Sequence, residues 1–222
     1  MEATLGEQVL LLSLDDETGR VREETRTACA VAGAAVLELV LAGRVEVVDD
    51  RVCVRDPGPL GNPALDEVLA RIAEGNGGRR RPRRTKDCVQ HLRKAAVSGA
   101  NRALVERGLV REEKSKVLGL FPVTRYPETD GSVEKALRQR LEAVVLGGEQ
   151  PDERTASLVA LVHGAKLHRQ AFPGADQRAA RSRTKEIAEG QWAGEAVRGA
   201  IEAIQAATAA VVAATAAAGA AG

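Results

Sequence analysis

The residues best suited to chemistry in this sequence are bases. Between Arg79 and Lys94 stand eight of them, Arg79, Arg80, Arg81, Arg83, Arg84, Lys86, Arg93 and Lys94, against one acid, Asp87. The whole chain carries a formal charge of only +1, and residues 1–58 alone hold twelve acids and six bases. The excess is therefore local, and it defines one anion-attracting face on a molecule that otherwise attracts no anions. Arginine suits phosphate because its planar fork donates two parallel charge-assisted hydrogen bonds. Arg93 and Lys94 fall on a predicted helix that can hold them still. The run from Arg79 to Lys86 lies in and just after a loop rich in Gly, Pro and Arg, and it supplies longer-range attraction. Phospholipid head groups and a nucleic-acid backbone both answer this charge, which does not separate them. A solvated, mobile loop is the plain alternative for the Arg run.

Other chemistry-bearing residues lead to structural readings. His163 and His168 are five apart, about 500° around a helix, and so do not share a helical face. Asp15-Asp16-Glu17 and Asp49-Asp50 have the composition of turns rather than of a metal cage. Cys29, Cys53 and Cys88 are odd in number and widely spaced, with no C-x-x-C, which predicts reduced thiols and neither a disulfide framework nor a zinc site. The sequence contains no G-x-G-x-x-G, Walker A loop, G-x-S-x-G or H-E-x-x-H. The expectation is a non-catalytic protein without metal or cofactor.

The elements that position these residues are mainly helical. Thr4-Leu5-Gly6-Glu7 has capping-box form before the apolar run Val9–Leu14, which predicts a short buried helix, although a strand fits that run too. A second helix is predicted over about 25–42, stopped by Gly43. Val45, Val47 and Val48, then Asp49-Asp50, then Val52 and Val54, predict a hairpin. Helices over about 64–73 and 86–107 flank the basic loop, predicted mobile over 74–84. A second hairpin is predicted from Leu109–Glu113 and Val117–Val123 around Lys114-Ser115-Lys116, with Leu118, Leu120 and Phe121 close together on it. An isolated ribbon is marginal in water, so this hairpin, 109–123, is a candidate contact between copies of the chain. An apolar stripe through Val133, Leu137, Leu141, Val144 and Val145 predicts another helix, and Asp152 caps one that is apolar all round, Leu158–Val162. A long helix is predicted from about Arg183.

The predicted fold class is therefore mainly α: a single globular domain over 1–213, with a helical core and two short β-hairpins, the second protruding. Residues 214–222 are expected as a disordered Ala/Gly tail. Only Trp192, Tyr126, Phe121 and Phe172 are aromatic, so the core must be aliphatic and few rings remain to stack bases or sugars. The uncharged stretch Ala203–Gly222 is too rich in Ala, Thr and Gly to read as a spanning helix. The acidic start, Met1-Glu2-Ala3, lacks the basic region of a secretory signal.

Several segments, in order, resemble the Golgi phosphoprotein 3 family, and in particular its shorter bacterial relatives from GC-rich actinobacteria. They are Thr4–Leu14, Leu37–Val45, Leu104–Val110, Phe121–Pro127 and Leu158–His163. The resemblance implies a mostly helical domain that binds phosphatidylinositol 4-phosphate at membranes and self-associates through its hairpin. It implies a head-group pocket built from a Trp before the second helix, an Arg within it, and two bases on the helix preceding the hairpin. Those two bases correspond to Arg93 and Lys94. The Trp position falls near Glu23 and the Arg position near Ala32, and Arg22 and Arg26 stand as replacement charge.

The expected function is a cytoplasmic protein peripherally bound to the inner face of the membrane. Its partner is an anionic phospholipid surface, held by Arg93, Lys94, Arg22 and Arg26, with homo-oligomers through hairpin 109–123 and no nucleic-acid partner. A winged-helix nucleic-acid binder is the alternative, because a helix ending at Gly108 precedes a ribbon with Lys114 and Lys116 placed at its tip. Against it stand the near-neutral charge and the few base-reading side chains, Gln90 and Asn101.

Overall fold

A computed structural model describes residues 3–77, 81–117, 121–190 and 194–220. The first helix, α1 (Leu5–Ser13), opens on the capping box: Thr4 Oγ1 accepts from the Glu7 amide at 3.3 Å and Glu7 Oε2 accepts from the Thr4 amide at 3.2 Å. The apolar run that also fitted a strand is thus helical through Ser13, and every residue of α1 is buried. Helix α2 (Glu24–Leu41) lies at the centre, packed on α1, on α4 (Thr85–Glu106) and on α9 (Glu195–Ala220). The contact between α2 and α9 depends on Gly33, where an added Cβ would lie 2.7 Å from Ile204 Cγ2. The core is aliphatic apart from Phe172, the largest fully buried side chain among the described residues.

Gly43 takes the left-handed conformation after α2, and the chain enters β1 (Val45–Val48) and β2 (Arg51–Val54). Asp49 and Asp50 both have positive φ, 50° and 57°, the two-residue turn whose twist matches a hairpin. The register pairs Val47 with Val52 and buries Val52. Helix α3 (Pro63–Asn76) is capped by Asn62, whose Oδ1 accepts from the Ala64 and Leu65 amides.

The second hairpin, β3 (Glu113–Val117) and β4 (Phe121–Arg125), is displaced from its predicted place. Lys114, Ser115 and Lys116 are strand residues, and Pro122 lies within β4, tolerated because a two-stranded ribbon leaves edge positions free of ladder bonds. The cause lies at the stem. Val110 is buried and bridges Glu128, so the first strand's apolar start is drawn into the body. Register continues unchanged from Val110↔Glu128 through Glu113↔Arg125 to Val117↔Phe121. Leu118 and Leu120 lie outside the described residues; Phe121 opens β4.

Helix α5 (Ser132–Val145) buries Leu137, Leu141, Val144 and Val145 as its stripe predicts, but Val133 is 38% exposed. Asp152 Oδ1 caps α6 (Glu153–Ala165), accepting from the Thr155 amide at 2.6 Å. Short α7 (His168–Ala171) and α8 (Gln177–Ala188) follow. In place of the single long helix expected from Arg183, α8 ends at Ala188 and α9 begins at Glu195, and Gly190 and Gly194 between them are not helical. Helix α9 packs against α2, α4 and α6. It runs to Ala220, into the stretch expected as a disordered tail. Its segment Val197–Ala218 is long and apolar enough to cross a membrane by length and composition, though Ile201, Ile204, Val211 and Val212 are buried in the core.

Candidate functional site

The N-terminal half of α4 is amphipathic. Val89, Leu92 and Ala96 are buried, which turns Gln90, His91, Arg93 and Lys94 toward the surface. Across from them stand the turn after α1 and the first turns of α2, and the exit of β4 closes the third side. Between these walls lies an open cavity of about 1110 Å³. Its apolar lining is Leu10, Val21, Ala28, Val97 and Val123, its polar lining includes Thr25, Thr27, Ser98 and Tyr126, and its cations are Arg20, Arg93 and Lys94.

Two contacts hold the third wall. The Tyr126 amide donates to the Gly19 carbonyl at 2.7 Å, and the Arg111 amide donates to the Pro127 carbonyl at 2.9 Å. Tyr126 is half-buried, and burial pushes its phenol above the usual range. Burial raises the pKa of the Cys29 thiol, and the positive charge of nearby Arg93 opposes that shift. Among the described residues no carboxylate lies within ion-pair distance of Arg20, Arg93 or Lys94; Glu24 is the one acid in the lining. Three cations with no carboxylate partner among the described residues, around an apolar floor, make a site for a phosphate ester carrying an apolar or polyol body.

Of the four predicted head-group residues, the structure brings together Arg93 and Lys94. Arg22 and Arg26 are not in the lining. Arg22 grips Asp15 Oδ2 with Nε at 2.9 Å and Nη2 at 2.7 Å, and the Thr18 hydroxyl bond, together with this grip, holds the Asp15 carboxyl well below the carboxylate range. Arg26 pairs with Glu23 at 3.1 Å. Glu23 itself starts α2 in the left-handed conformation, φ 50°, and Ala32 is fully buried among core residues. Arg20, His91 and Tyr126 escaped the sequence reading, because tertiary folding alone sets them beside α4; the one available signal was that Tyr126 is the chain's sole tyrosine.

The basic run is more ordered than expected over part of its length. Glu74 to Asn76 belong to α3. The Arg83 amide donates to Asn76 Oδ1 at 3.1 Å, its carbonyl accepts from Val52 at 3.1 Å, and Arg84 bridges Arg51. Arg81, Arg83 and Arg84 join Arg51 around a second, smaller cavity of about 500 Å³. Lys86 is exposed on α4, and Arg79 and Arg80 lie outside the described residues.

His163 and His168, placed on different faces by helical geometry, in fact meet. Helix α6 stops at Ala165, Lys166 turns left-handed (φ 58°), and α7 returns His168 to His163, ring centroids 5.4 Å apart and edge-on. Both share Thr184 Oγ1, at 3.2 and 3.1 Å. Burial lowers both pKa values, that of His168 to about 4, so this is a neutral buried cluster serving the packing of α6 on α8. The cysteines are free, and burial pushes the Cys88 thiol up to about 12, far from a reactive thiolate. The winged-helix alternative loses its support at the ribbon tip, because Lys114 lies along β3, 3.4 Å from Glu112, and of the few base-reading side chains on α4 Asn101 is buried.

Residues 5–204 match the family model described as Golgi phosphoprotein 3 (GPP34). The chain is also similar to vacuolar protein sorting-associated protein 74 of Eremothecium gossypii, 26% identical over 168 residues, a match covering 64% of this chain and 49% of that protein. The chain thus spans about half the length of that relative.

Proposed function

The chain belongs to the Golgi phosphoprotein 3 family, and on that premise we propose that it is a non-catalytic, peripheral membrane protein that binds anionic phospholipid head groups in the cavity between α2 and α4. One observation carries the reading: Arg93, Lys94 and Arg20 converge on an open cavity with an aliphatic floor, and among the described residues none of them is within ion-pair distance of a carboxylate. Phosphate is a better ligand for that arrangement than a carboxylate, because its oxygens satisfy a guanidinium and an ammonium together. Tyr126 adds a ring and a hydroxyl at the wall, suited to a sugar or polyol head group.

Phosphatidylinositol 4-phosphate or a bacterial anionic lipid is the proposed ligand class, and the cytoplasmic face of the membrane the proposed location. Hairpin 109–123 is the proposed contact between copies, since β3 and β4 have each other as principal neighbours. Flotation of the full chain with phosphatidylcholine vesicles, alone or carrying phosphatidylglycerol or phosphatidylinositol 4-phosphate, tests the reading. Anionic vesicles should carry the protein up the gradient and neutral ones should leave it behind. Equal behaviour on all three would overturn it.

A further inference from the structure

We propose that the second cavity, between β2 and the entry to α4, is a separate phosphate-ester site that takes the head group of a neighbouring anionic phospholipid. Four guanidinium groups line it, Arg51, Arg81, Arg83 and Arg84, against a single carboxylate in the lining, Asp87. Like charges on a loop disperse when they are free to. Here the backbone gathers them: Thr85 donates to the Asp50 carbonyl at 2.9 Å, Val52 to the Arg83 carbonyl at 3.1 Å, and Asn76 Nδ2 to the Val52 carbonyl at 2.9 Å. Arg51 in turn donates to the Pro82 carbonyl, which ties the strand to the loop.

The offsetting charge nearby is weak. Asp50 lies 3.9 Å from Arg84, and both are exposed. Arg83 Nε is shielded from solvent and has no acceptor among the described residues. A concave cluster of guanidinium groups carried on a fixed backbone, with a shielded, unsatisfied donor, is an arrangement that suits a phosphate anion.

The lipid assignment comes from position, and it rests on the reading of the first cavity as a head-group site. Gln90 and His91 line both cavities, so the two open side by side along one flank of α4. From Asp87 to Arg93 is about 9 Å of helix, so one membrane plane reaches both sites at once. Two sites on one plane multiply affinity through effective concentration, without new contacts. This makes the basic run a second point of attachment rather than a diffuse attractor.

The test compares full-length R81Q/R84Q, R93E/K94E and R178Q/R181Q by flotation with phosphatidylcholine vesicles containing phosphatidylglycerol. Arg81, Arg84, Arg178 and Arg181 are all exposed, and none of the α8 pair lines either cavity. R81Q/R84Q should bind roughly tenfold or more weakly than wild type at an unchanged melting temperature, and R178Q/R181Q should bind as wild type does. Wild-type binding by R81Q/R84Q, or an equal loss in R178Q/R181Q, would overturn the second site. Loss in R81Q/R84Q with full binding by R93E/K94E would keep this site and remove the first. Millimolar glycerol 1-phosphate should leave flotation intact, as expected for a membrane-displayed ligand; its complete displacement of the protein would assign the cavity to a free phosphate ester instead. Displacement by equimolar duplex DNA would overturn the lipid assignment in favour of a nucleic-acid groove.

Discussion

The Tyr126 amide donates to the Gly19 carbonyl at 2.7 Å, and this bond joins the exit of the second hairpin to the turn between α1 and α2 across the mouth of the larger cavity. Gly19 has φ +62°, and a Cβ there would lie 2.4 Å from the Pro127 nitrogen. Only glycine meets both conditions.

Gly19→Ala should therefore destabilise the fold by on the order of 2 kcal/mol and weaken binding to anionic vesicles, because Tyr126 must move. Gly61→Ala supplies the contrast. Its φ is +80° but nothing lies within 4 Å of the added methyl, so it should cost only the conformational strain, about 1 kcal/mol, and leave binding alone. Urea denaturation and flotation of the two variants check this.

Asn76 connects three segments through one side chain, accepting from the Arg83 amide and donating to the Val52 carbonyl. Asn76→Ala should cost about 1–3 kcal/mol and accelerate hydrogen exchange at the Arg83 and Thr85 amides before those of α2. Unchanged exchange at both would show that the basic segment is held by other means.

The buried His168 should give the protein acid sensitivity. Its folded pKa, near 4, lies below the ordinary 6.5 because of burial, with His163 and Arg181 adding repulsion. The unfolded chain therefore takes up the proton first. Stability present above pH 6.5 falls as pH drops toward about 4, by on the order of 2–3 kcal/mol. In His168→Gln that decline relative to wild type should vanish when stability is followed across this pH range.

Glu128 should act with the opposite sign. Burial, with Glu134, Asp16 and Asp130 around it and Arg138 opposing, raises its carboxyl to about 7. The native state holds a proton that the unfolded chain releases near 4.5, so this group's stabilisation is complete below that value and lost as pH rises through 7. Glu128→Gln should raise the melting temperature at pH 8 relative to wild type and change it little at pH 4.

Local signals carried the parts of the fold that were legible beforehand. Thr4 and Glu7 cap α1 and Asp49-Asp50 turns the first hairpin because each depends on neighbours within four residues. Lys94 was legible because it stands opposite Val89, Leu92 and Ala96 on α4, and Arg93 because it stands at the edge of that buried face. What escaped depends on distant partners. The meeting of His163 with His168 needs the left-handed Lys166, the shift of the second hairpin needs Val110 buried against the body, and Arg20 reaches the site only through the packing of α1 and α2 beside α4. Arg22 looked available as a charge, but Asp15, seven residues back, had already taken it.

The most direct test of the account is flotation of R93E/K94E with phosphatidylglycerol-containing vesicles beside wild type, at low salt, with melting temperatures measured in parallel. Lys94 is exposed and Arg93 half-buried at the cavity wall, so the parallel melts identify a folded variant, in which vesicle binding should fall at least tenfold, the size expected when two phosphate-facing cations are reversed. Undiminished binding by a folded R93E/K94E would contradict the account and remove the cavity between α2 and α4 from the function.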